Sequence, residues 1–143
     1  MAEVGGGEVA YLTQADFHLA VGEALGVDLD TARSITSETL AGSALAAPAA
    51  GFGDFEKYPD FPTKVAVLIQ AIARNHALPD GNKRTALLCG ILFAAINGYR
   101  WEPPRGDDPD GAETAEVVEA VAAGKVPLDQ LASWVSDRLL SAS

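Results

Sequence analysis

The feature that most restricts the fold is an apolar segment just past the middle of the chain. From Ala86 to Ile96 every residue except Gly90 is apolar, so a helix over this segment has no side suited to water. A helix that is apolar all round is buried inside a protein. Asn97-Gly98 follows, and glycine commonly ends a helix because it adopts the left-handed conformation without strain. The segment therefore predicts a buried central helix around which the rest of the chain folds.

Capping residues and apolar spacing predict five more helices. These are a helix from Thr13 to about Leu25, one at about 30–47, one from Asp60 or Phe61 to His76, and two at 114–123 and 128–140. His18 lies off the apolar stripe of the first helix and is expected to be exposed. No strand pattern of any length is present, and 143 residues suit one domain. We therefore predict a compact all-α domain of about six helices at residues 11–143, after a flexible tail at residues 1–10.

A polar cluster lies directly before the central helix, and it needs a chemical reason. It comprises His76, Asp80, Asn82, Lys83 and Arg84. Asp80-Gly81-Asn82 is a tight-turn sequence, and asparagine is a good N-cap residue. If Asn82 caps the helix, the free N–H groups of Lys83 and Arg84 make an anion site together with their two positive charges. Asp80 is then a candidate ligand for a divalent cation that bridges phosphates.

Charge and composition exclude several classes of function. The net charge is −10, which argues against a general nucleic-acid binder, although residues 57–105 hold seven basic and three acidic residues. No apolar run reaches the length of a membrane span, and the first residues lack the features of a signal peptide. Cys89 is the one cysteine and is predicted to serve packing rather than catalysis. These features predict a cytoplasmic protein.

The order His76-x-x-x-Asp80-Gly81-Asn82-Lys83-Arg84 resembles the signature of the Fic/Doc family, His-x-Phe-x-Asp/Glu-Gly-Asn-x-Arg. Asn-Lys-Arg-Thr-Ala is most similar to the Doc, or death-on-curing, branch of toxin–antitoxin modules, and the resemblance spans nearly the whole chain. It implies a kinase that uses ATP and Mg²⁺ to phosphorylate a threonine of elongation factor Tu, blocking translation. The implied catalytic residues are His76 as general base, Asp80 as the Mg²⁺ ligand, and Arg84. Gly81, Asn82, Lys83 and Arg84 are implied to bind the nucleotide. A Phd-like antitoxin is implied as the inhibitor, with nucleic acid contacted only through it.

Two other functions stay open. A Fic-type adenylyltransferase would transfer AMP with the same parts, but Leu87 stands where those enzymes have a second arginine, and Lys83 stands where they have glycine. The other alternative is a non-catalytic interaction module on the same fold. Leu78 replaces the usual phenylalanine of the signature, which predicts a somewhat looser loop. Residues 48–60 are predicted to form a loop or short hairpin, which in the family lies beside the active site. The alternative there is a surface loop with its aromatic side chains tucked inward.

Overall fold

A computed structural model describes residues 8–104 and 111–142. The helices in these ranges are α1 (Gln14–Leu25), α2 (Leu29–Ile35), α3 (Glu38–Ala46), α4 (Phe61–Asn75), α5 (Asn82–Ile96), α6 (Ala112–Ala122) and α7 (Leu128–Ser136). The strands are β1 (Gly51–Phe52), β2 (Phe55–Glu56), β3 (Tyr99–Trp101) and β4 (Leu139–Ser141). The fold is helical, as predicted. No helix in the described ranges has both the length and the apolar character needed to cross a membrane.

The predicted N-terminal tail lies mostly outside the described residues, which begin at residue 8. Ala10 is described, and it is held in place. Its N–H donates to Oδ1 of Asn97 at 2.9 Å, and its carbonyl accepts from Nδ2 of Asn97 at 2.8 Å. The ordered packing of the domain therefore begins before Tyr11.

The core is built on the packing of α4 against α5. α4 buries an apolar stripe of Val65, Leu68, Ile69 and Ile72. Gly90 of α5 faces this stripe, because a Cβ added there would lie 2.7 Å from Cδ1 of Ile69. The absence of a side chain at Gly90 thus lets the two helices approach closely.

The central helix is less enclosed than its sequence predicts. One face of α5 is buried as expected, and it carries Thr85, Ala86, Cys89, Gly90, Phe93 and Ala94. The opposite face is only half-buried at Leu87 and Ile91, and Ile96 is 43% exposed. A domain of this size has too few helices to surround α5 completely. The prediction of a fully buried helix was therefore wrong for its outer face.

The start of α1 confirms its predicted cap, and its inner face corrects a second prediction. Thr13 and Asp16 form a capping box, and Gly26 ends the helix in the left-handed conformation. His18, however, is buried rather than exposed. It lies next to Phe17 on a buried face that is wider than the apolar stripe.

The predicted helix at residues 30–47 is two helices. α2 ends at Ile35, Thr36 has an extended backbone, and the Ser37 side chain caps α3 by accepting from the N–H of Leu40. The N–H of Ser37 donates to the carbonyl of Ala77 at 2.8 Å. The break between α2 and α3 therefore supplies a donor to the loop that follows α4.

Residues 48–60 contain a hairpin, in which β1 and β2 pair antiparallel. Phe52 and Phe55 are 78% and 57% exposed, so these two aromatic side chains are not tucked inward. Lys64 of α4 is buried and contacts both legs of this segment, through Oε1 of Glu56 at 2.7 Å and the carbonyl of Pro48 at 3.4 Å. A charge buried this way is stable only with such partners.

The end of the chain differs from the predicted helix at 128–140. α7 ends at Ser136, and β4 pairs antiparallel with β3. Gly98 has a φ of 86°, which turns the chain after α5 into β3. Trp101 of β3 packs edge-on against Trp134 of α7, with ring centroids 5.7 Å apart. The pairing of β3 with β4 thus fixes the last part of the described chain against the segment that follows α5, and it places Trp101 beside α5.

Candidate active site at the start of helix α5

The histidine of the motif lies where α4 ends. His76 follows the last residue of α4 and has a left-handed backbone, with a φ of 54°. Its ring is exposed and makes no hydrogen bond to any residue in the described ranges. A non-glycine residue in this region is uncommon, and histidine is among the few that adopt it more readily. The turn at His76 ends the helix and leaves the imidazole exposed to solvent.

The loop after His76 is held firmly at its buried end. Ala77 and Leu78 are both buried in the core. Leu78 donates its N–H to Oδ1 of Asn82 at 3.1 Å, and its carbonyl accepts from Nδ2 of Asn82 at 2.9 Å. Leu78, which replaces the phenylalanine of the signature, is therefore a core residue.

Asn82 was predicted to cap α5, and this was wrong. The helix begins at Asn82 itself, Gly81 takes the cap position, and no side chain caps the first turn. The Asn82 amide binds Leu78 instead. Gly81 has a φ of 80°, which favours glycine, and a Cβ there would lie 2.5 Å from Cδ2 of Leu25.

The uncapped first turn leaves backbone donors free. The N–H groups of Asn82, Lys83 and Arg84 bind no oxygen atom within residues 8–104 and 111–142. Free N–H groups and the positive end of the helix dipole attract anions. The start of α5 is therefore suited to a phosphate group, as the sequence predicts, although by way of Gly81 rather than an Asn82 cap.

The two cations of the motif already have partners. Nζ of Lys83 lies 3.0 Å from Oε2 of Glu119 on α6. Nη1 of Arg84 donates to the carbonyl of Ala24 in the last turn of α1 at 3.1 Å. Arg84 has five N–H donors, so this contact leaves others available. Neither Glu119 nor Ala24 is predictable from the motif as a partner, because both lie far along the chain from it.

A cavity of about 600 Å³ opens beside this first turn. One wall is formed by the motif residues Asp80, Gly81, Lys83 and Arg84. The other walls come from α5, β3 and α6, and they include Leu87, Trp101, Thr114, Ala115, Val118 and Glu119. His76 and Asn82 are not part of the lining. The structure thus gathers four of the six predicted site residues on one cavity, with His76 at the other end of the loop and Asn82 supporting it.

Asp80 is the predicted metal ligand, and it is exposed at the cavity. No group of three or more histidine, cysteine or acidic side chains in the described ranges could hold a metal by itself. Mg²⁺ is commonly held by one or two carboxylates together with substrate phosphates. The residues present therefore fit a metal that is shared with a nucleotide.

Cys89 takes no part in the site. It is completely buried on the inner face of α5, and burial raises the pKa of its thiol to about 12. Because the thiolate is the reactive form, this cysteine is inert at neutral pH.

Comparison with known proteins gives two matches. A family model described as the Fic/DOC family matches residues 13–94, which include the whole motif. The curated protein "Toxin Doc" of Mycolicibacterium smegmatis (strain ATCC 700084 / mc(2)155) is 36% identical over 123 residues, or 86% of this chain and 88% of that protein. No solved structure matches the chain significantly. With more than half of its length matched by the family model, the chain belongs to the Fic/DOC family.

Proposed function

We propose that this protein is a Doc-type toxin of a toxin–antitoxin module that transfers the γ-phosphoryl group of ATP to a threonine of elongation factor Tu. The relative named "Toxin Doc" covers most of the chain, which supports the toxin assignment. The motif from His76 to Arg84 supports the transfer chemistry. Such a toxin acts in the cytoplasm, where translation takes place.

The observation that carries the proposal is the uncapped start of α5. The backbone N–H groups of residues 82–84 are free of partners in the described ranges, and Lys83 and Arg84 of the same turn line the cavity beside it. Phosphoryl transfer needs mainly positioning and neutralisation of phosphate charge, and helix N-termini with basic side chains supply both. This set of groups suits a polyphosphate better than a single carboxylate.

The remaining roles follow from position. His76 would accept the proton of the threonine hydroxyl, because its exposed ring has no competing partner among the described residues. Asp80 would hold Mg²⁺, and the ion would neutralise phosphate charge when it is bound. Asn82 would keep the loop fixed by its two hydrogen bonds to Leu78.

Adenylylation is the second candidate, and one observation weighs against it. Leu87 occupies the position of the second arginine of Fic enzymes, and its side chain is half-buried in the cavity wall. No cation therefore comes from that position to hold the phosphates in the Fic orientation. Lys83, in place of glycine, adds bulk to the same turn.

A toxin of this kind requires an inhibitor, and we propose a Phd-like antitoxin as the partner. The name of the curated relative supports an antitoxin in general. In this proposal the toxin touches nucleic acid only through the antitoxin, which agrees with its net charge of −10.

The experiment that tests the transfer uses two labels. The protein is incubated with elongation factor Tu, Mg²⁺ and ATP labelled at either the γ- or the α-phosphate. We expect label on the acceptor from γ-labelled ATP alone. Label from α-labelled ATP would establish adenylylation, and no label from either would favour a non-catalytic module.

The role of His76 is tested by replacing it with a residue that readily adopts the same left-handed backbone conformation. His76→Ala would place alanine at a φ of 54°, so a loss of activity could come from strain. His76→Asn keeps a residue that accepts this conformation and removes the base. We expect His76→Asn to have the same midpoint temperature of thermal unfolding as the wild type. The variant should nevertheless lose phosphoryl transfer and should no longer arrest growth when it is expressed. Growth arrest equal to wild type would remove His76 from the mechanism.

A further inference from the structure

The cavity beside α5 is larger and more apolar than a phosphate site requires. Its volume of about 600 Å³ falls within the range of small-molecule sites. Away from the motif its lining includes three large apolar side chains, those of Leu87, Trp101 and Val118, together with Thr114, Ala115 and Glu119. An apolar enclosure with few polar groups suits a planar organic ring rather than a second anion.

The aromatic side chain in this wall is held by its surroundings. Trp101 is half-buried on β3, and its ring packs edge-on against Trp134 at 5.7 Å. β3 is in turn fixed by its pairing with β4. A ring held in this way offers a face for stacking at little entropic cost, and aromatic stacking is a common way for proteins to bind nucleobases.

The position of His76 relative to the cavity suits one orientation of a bound nucleotide. The cavity is lined by the residues from Asp80 onward, whereas His76 lies at the opposite end of the loop and outside the lining. A nucleotide with its base in the cavity runs its phosphates along the free N–H groups of α5. With the base beside Leu87 and the phosphates at the first turn of α5, the terminal phosphate would lie on the side of the loop that begins at His76.

We propose that the part of the cavity lined by Leu87, Trp101 and Val118 binds the nucleoside end of the donor nucleotide, with the base stacked on Trp101. This rests on the proposed function, and it adds the residues that bind the base. Trp101, Thr114 and Val118 lie beyond residue 94, the last position matched by the family model.

The first test distinguishes binding of the base from binding of the phosphates. Ala115 is exposed at the cavity wall, so Ala115→Leu narrows the cavity without disturbing the core. Ala112→Leu makes the same change on α6 at an exposed position outside the lining and serves as the control. We expect Ala115→Leu to weaken Mg·ATP binding by roughly tenfold or more and to leave inorganic tripolyphosphate binding unchanged. Equal losses for both ligands, or no loss, would overturn the proposal.

The second test reads the stacking directly. The chain has two tryptophans, so Trp134→Phe leaves Trp101 as the sole tryptophan emitter, and Trp101→Phe leaves Trp134. We expect ATP to quench the tryptophan fluorescence of Trp134→Phe but not that of Trp101→Phe. Quenching that follows Trp134, or ATP binding without quenching, overturns the base site even if γ-label is transferred. Quenching through Trp101 without transfer of label would instead overturn the proposed function and leave the base site standing.

Discussion

The ion pair between Lys83 and Glu119 would compete with a bound phosphate for the same lysine. The two charged atoms are 3.0 Å apart, and the side chains are 48% and 68% exposed. An exposed pair of this kind contributes about 0.2–1 kcal/mol. A nucleotide that draws Lys83 to its phosphates must give up this energy, so Glu119→Gln should tighten nucleotide binding. From 0.2–1 kcal/mol we expect a dissociation constant lower by about 1.5- to 5-fold.

The assay is calorimetric titration with Mg·ATP, and α6 offers a matched control. Glu116→Gln removes the same charge from the same helix, one turn earlier, at an exposed residue that forms no ion pair within the described ranges. The difference in Mg·ATP affinity between Glu119→Gln and Glu116→Gln should shrink at roughly 1 M salt. At this concentration the Debye length is about 3 Å, so the interaction between the two charged side chains is largely screened. If Glu119→Gln binds Mg·ATP no better than Glu116→Gln, the ion pair does not compete with the nucleotide. Weaker binding would mean that Glu119 holds Lys83 in place for the phosphates.

Three further predictions concern the scaffold of the site. Cys89, whose thiol pKa burial raises to about 12, should not react with a thiol reagent at pH 7 until the protein is denatured, as followed by absorbance. A rapid reaction of the native protein would contradict its burial. Gly90→Ala should destabilise the fold by about 1–3 kcal/mol in urea unfolding, because the new Cβ would lie 2.7 Å from buried Ile69. A more stable variant would show that helix propensity outweighs this crowding. Asn82→Ala should cost about 1–2 kcal/mol and speed amide exchange at Leu78, because two hydrogen bonds are lost. Unchanged exchange would show that the loop is held by the burial of Leu78 alone.

Helix starts and stops were predictable because their causes are local. The Thr13 cap of α1, the Asp60 cap of α4 and the stop at Gly98 each depend on neighbouring residues only. The position of His76 at the end of α4 follows from the same local signals. In each case the residues that interact lie within a few positions of one another in the sequence.

The errors occurred where distant parts of the chain decide the structure. The break between α2 and α3 is stabilised by the bond from Ser37 to Ala77, and β4 forms only because β3 is available to pair with it. Ser37 followed by Glu38 was a readable helix-start signal, since serine caps and acidic residues favour a first turn. The pairing of Lys83 with Glu119 had no such signal, because the two residues are 36 positions apart.

The failed prediction at Asn82 has a physical meaning for the site. An asparagine at the cap of α5 would have bonded to one of the first N–H groups, and such a cap typically contributes about 1 kcal/mol. The structure places glycine at the cap and directs the Asn82 amide backward to Leu78, so the loop is fixed while the helix donors stay open. Local stability is given up where a ligand needs the same donors, and departures from the usual capping rules are expected at functional sites. The same reasoning applies to Gly81. Its φ of 80° allows the turn that leaves these donors open, and a side chain there would be strained and would crowd Leu25.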